Sequence, residues 1–553
     1  VSARRQTGAS RRVGTPLQSV SANARAPVSD PAEKPDHEHH AFIGAAKIIA
    51  ACTMVSRVLG VVRDVLMAVC FGGGRVTSAF VTAWTIPNLF RRLFGEGAVS
   101  SALVPTFTES LKTRPNEETQ RLFSVTFTAM FLFLTALTLL IEGIVNGLLW
   151  WGDLTGATRL LLEYTVILMP YMVLICLSAF FMAVLNSHRH FFAPAFMPVV
   201  LNVVWIAALY LINLADIPGE YGGRWLSLAI LIGGGLQLLF QVPFALKHGV
   251  KLRPSLEFSH PGFRQILRLW VPVILGSAVI QINTMADRWF AYYLVVHDGS
   301  AAFLFFGNRL MHFPIALIGV AISTAVLTTL SEHAATGEPE KFKRALMSAL
   351  RITLFLAIPA SIGLVVLSSA TVEMIYGHGK FAETPFAVVR TAWVLFCYAF
   401  GVWAHTAVFV LLRAFYALKD TRTPLKVATW MVLLNLALNL TLIWFLDEAG
   451  LALATSISGM AQFTVLFVIL RRRLGPLGGR DVARLSLKTL IVSLVMGSCA
   501  ALAWYYWWPT GAHIVTRAAV LVAIVLGAMA VFAAGTLALG IPELKQLLQL
   551  RRR

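Results

Sequence analysis

The sequence predicts an all-α polytopic membrane protein with about fourteen transmembrane helices. Composition is the first reason: of 553 residues 57% are hydrophobic and 13% charged, with mean hydropathy +0.73, against about 25% charged in a soluble domain. The second is that apolar runs of about 20 or more residues, enough to cross ~30 Å as a helix, recur from Ala41 onward. The third is that lysine and arginine concentrate in alternate breaks between those runs, as positive-inside topology requires.

Taken in order, residues 1–40 are polar and rich in Ser, Ala, Arg and Pro. They read as a disordered tail. Arg4, Arg5, Arg11, Arg12 and Arg25 precede the first acid, Asp30, which also fits a transit peptide, while the apolar core of a secretory signal is missing. His37, His39 and His40 could hold a metal only weakly from so polar a segment. The spans are read at 42–71, 76–108, 122–150, 158–186, 194–215, 224–247, 265–296, 301–331, 345–369, 385–415, 425–446, 450–470, 484–508 and 514–540. A short basic amphipathic piece, 542–553, suits the membrane surface.

With the N-terminus inside, the inside breaks and C-terminus hold 27 Lys and Arg and the outside breaks hold 6. Both termini are therefore expected on the cytoplasmic side. The bias accounts for most of the net charge of +19, so no nucleic-acid partner is expected. Cys52, Cys70, Cys176, Cys397 and Cys499 lie in apolar runs with no C-x-x-C pair and read as buried packing residues.

An internal repeat sets the architecture. AVSSALVPTFTE at 98–109 matches AISTAVLTTLSE at 321–332, an offset of 223 that also pairs Ala79-Phe80 with Ala302-Phe303 and Asp64 with Asp287. Asn202 after Pro194 resembles Asn435 after Pro424 more loosely. Six spans separate the copies, so the repeat is parallel, an arrangement that transporters use to place a central site between two lobes. The lobes are read as 41–248 (spans 1–6) and 249–475 (spans 7–12), with spans 13–14 in 476–541 outside the repeat.

Arg57, Arg63, Arg91, Arg92, Arg288 and Arg309 fall within or near the repeat-related spans 1, 2, 7 and 8, and Lys47 lies near a helix end. An arginine at mid-bilayer costs roughly 2.5–3.5 kcal/mol on insertion scales, so such residues should face water or a partner. Arg57 and Asp64 are seven residues apart and share a face, with Gly60 between them. Pro87 loosens span 2 just before Arg91 and Arg92, and Gly95-Glu96-Gly97 follows. The bland alternative pairs these arginines with Asp64, Glu96 and Asp287. The functional reading is a cationic pocket, where guanidinium groups fork onto the oxygens of a phosphate-bearing substrate.

MVSRVLGVVRD (54–64), FGGG (71–74), IPNLFRRLFGEGAVSSALVP (86–105) and NRLMHFPIALIGVAI (308–322) closely resemble the MurJ/MviN family of lipid II flippases, over about residues 41–545. That family belongs to the multidrug/oligosaccharidyl-lipid/polysaccharide transporter superfamily. The resemblance implies two six-helix lobes in a V, a lipid-tail groove on the last two helices, and a bacterial inner-membrane protein. It implies alternating access that carries undecaprenyl-diphosphate disaccharide-pentapeptide (lipid II) outward, in contact with membrane lipids and with cell-wall synthesis or division machinery. Its motifs implicate Arg57, Arg63, Asp64, Arg91 and Arg309 in holding the diphosphate. Ser56, Asn88, Arg92, Glu96 and Asn308 stand beside them as cavity or gating candidates. Ser78 and Asn308 stand where the family often has aspartate. Some members have a sodium site between spans 7, 11 and 12, and the similar positions are Asp287, Asn435, Asn439, Thr455 and the Leu451 carbonyl. Oxygen ligands suit a hard cation. The alternative there is plain interhelical hydrogen bonding.

Other functions fit less well. A drug/cation antiporter cavity is at odds with the arginine density, whereas an O-antigen lipid-linked polysaccharide flippase differs mainly in its sugar. An enzyme is not expected: the outside acids are scattered and no Walker, H-E-x-x-H or G-x-S-x-G motif occurs. A scaffold would have no use for intramembrane arginines.

Overall fold

The computed structural model describes residues 34–97, 102–154, 156–509, 511 and 513–544. The tail to residue 33, the basic end from 545, and the side chains of His37, His39, His40 and Glu96 lie outside that description, and so do the expectations placed on them. Among the described residues every regular element is a helix.

The first group comprises α1 (Lys34–Phe71), α2 (Arg75–Phe90), α3 (Val104–Thr113), α4 (Asn116–Trp151), α5 (Gly156–Ser187), α6 (Phe192–Leu214) and α7 (Gly219–Lys247). Its packing centres on α5, whose buried face meets α2, α4 and α7, while α1 lies along α6. The second comprises α8 (Pro261–Tyr293), α9 (Ser300–Pro314), α10 (Ala321–Ala335), α11 (Pro339–Val366), α12 (Ser368–Tyr376), α13 (Lys380–Glu383), α14 (Ala387–Ala399), α15 (Val402–Ala417) and α16 (Arg422–Leu474). Two more, α17 (Gly479–Trp507) and α18 (Ile514–Ala538), pair with each other, and α17 lies on α11.

Among the described residues ten helices are long and apolar enough to cross a membrane, or eleven if α14 and α15, bent by 43°, count as one span. That is fewer than the fourteen expected. One reason is visible in α16, whose 53 residues join two apolar runs across a break at Asp447 (φ 52°). Another is that α2 has only 16 residues before its helix widens.

The widening follows the repeat. π-helical turns occupy Arg91–Gly97 after α2 and Ile315–Val320 between α9 and α10, matching the 223-residue offset to within a residue or two. A π turn leaves local backbone carbonyls under-paired and commonly marks a functional position. Arg91 opens the first π turn, and Arg309 stands six residues before the second.

The two groups meet tightly at one end, around the Gly72–Gly74 turn. Gly73 N–H donates to Thr384 Oγ1 at 3.3 Å and Ala302 N–H donates to Ser78 Oγ at 3.1 Å. Phe71, Phe303, Phe306, Tyr376 and Phe381 share one buried core there. At the opposite end the second group has its own core of Leu330, Phe342, Leu411, Phe415, Leu466 and Leu470. The basic breaks adjoin at that end: Arg473 pairs with Asp420. The Asp420 carboxyl is held down at about 2, first by the Thr423 hydroxyl and N–H and then by Arg473. The chain between α7 and α8 is strapped along α4, where the Lys251, Arg253 and Ser255 N–H groups donate to Gln120, Ser124 and Thr128 side chains.

Candidate functional site

Asp64 is the hub. It lies on α1, where the SRVLGVVRD pattern places it one turn above Gly60, and it is 6% exposed. Its Oδ1 accepts from Arg63 Nε at 3.0 Å and Nη2 at 2.8 Å, and its Oδ2 lies 3.1 Å from Arg309 Nε on α9. A buried carboxylate needs such partners, because an unpaired one is strongly disfavoured. Arg63 also donates through Nη1 to Asn202 Oδ1 at 3.0 Å and lies over the Trp205 ring at 4.6 Å. Asn202 in turn donates to the Ser56 carbonyl at 3.0 Å. Arg63, Asp64, Ser56 and Arg309 therefore converge.

The other candidates distribute around this hub. Arg57 is exposed and has no ion pair among the described residues; it stands on the same face of α1 as Asp64, outside the buried pairing. Arg91 Nε donates to Asn88 Oδ1 at 2.9 Å, which joins two predicted residues at the start of the π turn. Arg92 reaches Gln281 on α8 at 3.3 Å. Arg288 reaches the Val81 carbonyl at 3.4 Å. Arg288 and Arg309 both lie 5.0 Å over the Phe305 ring. Asn308 is half-buried next to Arg309. Ser78 is fully buried and accepts the Ala302 N–H, so it seals the closed end and does not line the arginine cluster.

Trp205, Gln281 and Phe305 escaped sequence reading. Phe305 could have been found, since it stands one helical turn before Arg309 and shares its face. Trp205 carries a weaker signal, three residues after Asn202. Gln281 carries none.

The repeat partner of Asp64 has different company. Asp287 is 9% exposed and has no ion pair among the described residues. It accepts from Asn439 Nδ2 at 2.6 Å, and Asn435 lies 3.0 Å from the same amide. Asn435 is 3.4 Å from Thr455 Oγ1, which donates to the Leu451 carbonyl at 3.1 Å. All five positions proposed for a cation thus come together. The Asn439 Oδ1 is buried without a hydrogen-bond partner among the described residues. Turning the Asn435 amide would let it donate to Asp287 and accept from Thr455 N–H, so the cluster satisfies an interhelical network and also gathers oxygens that could hold a hard cation.

The comparisons agree with this architecture. The family described as "Lipid II flippase MurJ" matches residues 67–521. A "Probable lipid II flippase MurJ" of Vibrio cholerae is 34% identical over 76% of this chain and 81% of its own length. The "Lipid II flippase MurJ" of Burkholderia cenocepacia is 31% identical over 77% and 83%. The solved structure of a lipid II flippase MurJ in an inward closed conformation superposes with TM-score 0.73 at 27% identity, covering 88% of this chain and 99% of that one. An inward-facing multidrug-resistance MATE transporter shares the fold alone, with TM-score 0.64 at 13% identity. The chain belongs to the lipid II flippase MurJ family.

Proposed function

We propose that this protein is a lipid II flippase of the bacterial inner membrane, with both termini cytoplasmic. It moves the undecaprenyl-diphosphate-linked peptidoglycan precursor from the cytoplasmic to the periplasmic leaflet by alternating access. The observation that carries this is the Arg63–Asp64–Arg309 junction, which places guanidinium groups from both helix groups at one buried acid. Arg309 spends Nε on Asp64, and its other N–H groups have no partner among the described residues. A diphosphate that reaches the junction adds the negative charge that one carboxylate cannot supply to several arginines. Bidentate contacts to its oxygens then draw the two groups together. Arg57, exposed on the same helix below the junction, provides a first electrostatic contact for an entering anion. A cationic drug would meet the wrong sign of charge here.

A sodium ion is the coupling cation that the second cluster suits. Asp287, Asn435, Asn439, Thr455 and the Leu451 carbonyl would hold it. It would supply positive charge that neutralises Asp287 and fixes α8 against α16.

The test is complementation. In cells depleted of their own lipid II flippase, this protein should restore growth and prevent lipid II from accumulating on the cytoplasmic face. Accumulation despite normal membrane levels of the protein would overturn the reading.

A further inference from the structure

Away from the central junction, a cavity of about 150 Å³ opens at the Lys- and Arg-rich end between α11, α17 and the chain leaving α18. That is about five waters' worth of liquid volume at ~30 Å³ each. Arg351, Arg484, Lys488, Asp481, Ile541 and Pro542 line it.

The cavity is built by a specific turn. Gly540 adopts φ +62°, its N–H donates to the Leu537 carbonyl, and the Ile541 N–H reaches back to the Thr536 carbonyl. This is the paired-bond Schellman ending of a helix, which needs a left-handed residue where glycine carries no penalty. It reverses the chain, so that Ile541 is buried against α11 and α17. Glu543 is 1% exposed and accepts from Arg351 Nε at 2.7 Å.

The resulting charges are unbalanced. Arg351, Arg484 and Lys488 face Asp481 and the buried Glu543. Arg351 is engaged by Glu543, and Lys488 Nζ donates to the Leu539 carbonyl at 3.0 Å. Arg484 has no ion pair among the described residues and stands one helical turn from Lys488 on the same face of α17. Two adjacent cations on the rim of a concave site are left to recruit an anion.

We propose that this cavity seats the phosphate of an anionic phospholipid from the surrounding leaflet, with Arg484 and Lys488 as its ligands and Arg351 behind them. The lipid source is favoured over free phosphate by what adjoins the site. Leu487, Leu490, Ile491 and Leu494 on α17 are exposed and continue from Arg484 and Lys488 along the membrane-spanning part of the helix. A phosphate held by the cations therefore leaves its acyl chains beside an apolar stripe. The seat joins α17 to the turn after α18, so an occupant fastens the last two helices to α11.

The test uses the full-length protein in detergent, titrated with dioleoylphosphatidylglycerol or dioleoylphosphatidylcholine, with bound lipid counted by native mass spectrometry. Wild type should retain phosphatidylglycerol in preference to phosphatidylcholine. The double variant Arg484→Gln/Lys488→Gln should bind phosphatidylglycerol about ten-fold or more weakly, the scale of losing a charged hydrogen bond. Arg471→Gln/Arg472→Gln removes two exposed charges near the same end but outside the cavity, and should bind as wild type does. Asp481→Asn should tighten retention, which keeps the proposal testable if the double variant fails to fold. Equal weakening by both double variants would reduce the site to a diffuse basic belt and overturn the proposal, as would no change on Asp481→Asn. Displacement of the lipid by millimolar inorganic phosphate would overturn the lipid assignment.

Discussion

Asp64 accepts from Arg63 on its own helix at 2.8 Å and stands 3.1 Å from Arg309 on a helix of the other group. One acid therefore balances two guanidinium groups and ties α1 to α9. Opening the structure at this level would separate Arg309 from Asp64, and a diphosphate bound as proposed would replace one acid with a more highly charged one.

Truncation of the arginines follows directly. Arg63→Ala, Arg91→Ala and Arg309→Ala should each cripple lipid II export, and Arg57→Ala should slow it. Losing one charged hydrogen bond in a partly desolvated site costs about 1.5–3 kcal/mol, roughly ten- to a hundred-fold in affinity. Arg→Lys should rescue only in part, because it keeps charge but loses the fork. Arg75, paired with Glu220 at the closed end, should tolerate alanine. Complementation with matched membrane levels decides. Wild-type flipping by all four alanine variants would rule out a cationic, anion-binding cavity.

Topology is tested by single cysteines in a cysteine-free background. In intact cells an impermeant thiol reagent should label positions in 216–224, 373–384 and 447–448. It should spare 109–121, 247–264, 332–344, 413–424 and 471–484. Labelling within 471–484 would contradict the cytoplasmic placement of the basic breaks.

The second cluster predicts ion dependence. Asp287→Asn removes the only carboxylate among Asn435, Asn439 and Thr455 while preserving shape and the capacity to hydrogen-bond. Any sodium dependence of transport should disappear, with the protein still folded by thermal unfolding. Wild-type transport that is unchanged when choline replaces sodium would count against a sodium site.

The helical class and the arginine-bearing helices were legible because hydropathy and charge are local properties of the chain. Offset 223 was legible too, and the paired π turns at Arg91–Gly97 and Ile315–Val320 show that it extends to backbone geometry. Asp64 as an arginine partner was among the alternatives the sequence offered, and both Arg63 and Arg309 take it. The neutral partners were not legible: helical spacing says which residues share a face, but not that Phe305 lies under two guanidinium groups. The break inside α16 was legible as well: the apolar runs 425–446 and 450–470 leave a gap at 447–449, and the helix breaks at Asp447. Arg390 accounts for that break, since it gathers both Asp447 and Glu448 at 2.6–2.8 Å.

A pH dependence is expected at the histidine cluster between α5 and α6 and at the end of α7. The His188 and His248 rings lie 5.3 Å apart, and His190 and His248 5.5 Å apart. Burial, and secondarily the neighbouring imidazole, lowers the affinity of His190 and His248 for protons. The folded state therefore binds fewer protons than the unfolded chain just below the ordinary histidine value of about 6.5. Stability is fully present above that value and is lost as pH falls through the lowered ones. Unfolding temperature should drop between about pH 7.5 and pH 5, and His248→Gln should shrink the drop. An identical pH profile in that variant would remove the cluster as its cause.

The closed end should be sensitive to a single methyl group. Gly72 has φ +71°, and a Cβ there would collide with Thr384 and the Lys380 carbonyl. A Cβ on Gly73 would come within 2.8 Å of Phe303 and 3.1 Å of Phe381. Both approaches are made by bare backbone between the two groups, so side chains there cannot be absorbed by rotamer changes alone. Gly73→Val should therefore push Phe303 and Phe381 away, hold this end apart and bias the protein against its closure. A cysteine at Ala387, fully buried at this seam in the native sequence, reports the change. It should react slowly with a thiol reagent in the parent background and faster when Gly73→Val is added, while lipid II export falls. Unchanged reactivity together with normal export would mean that the seam does not need its glycines to close.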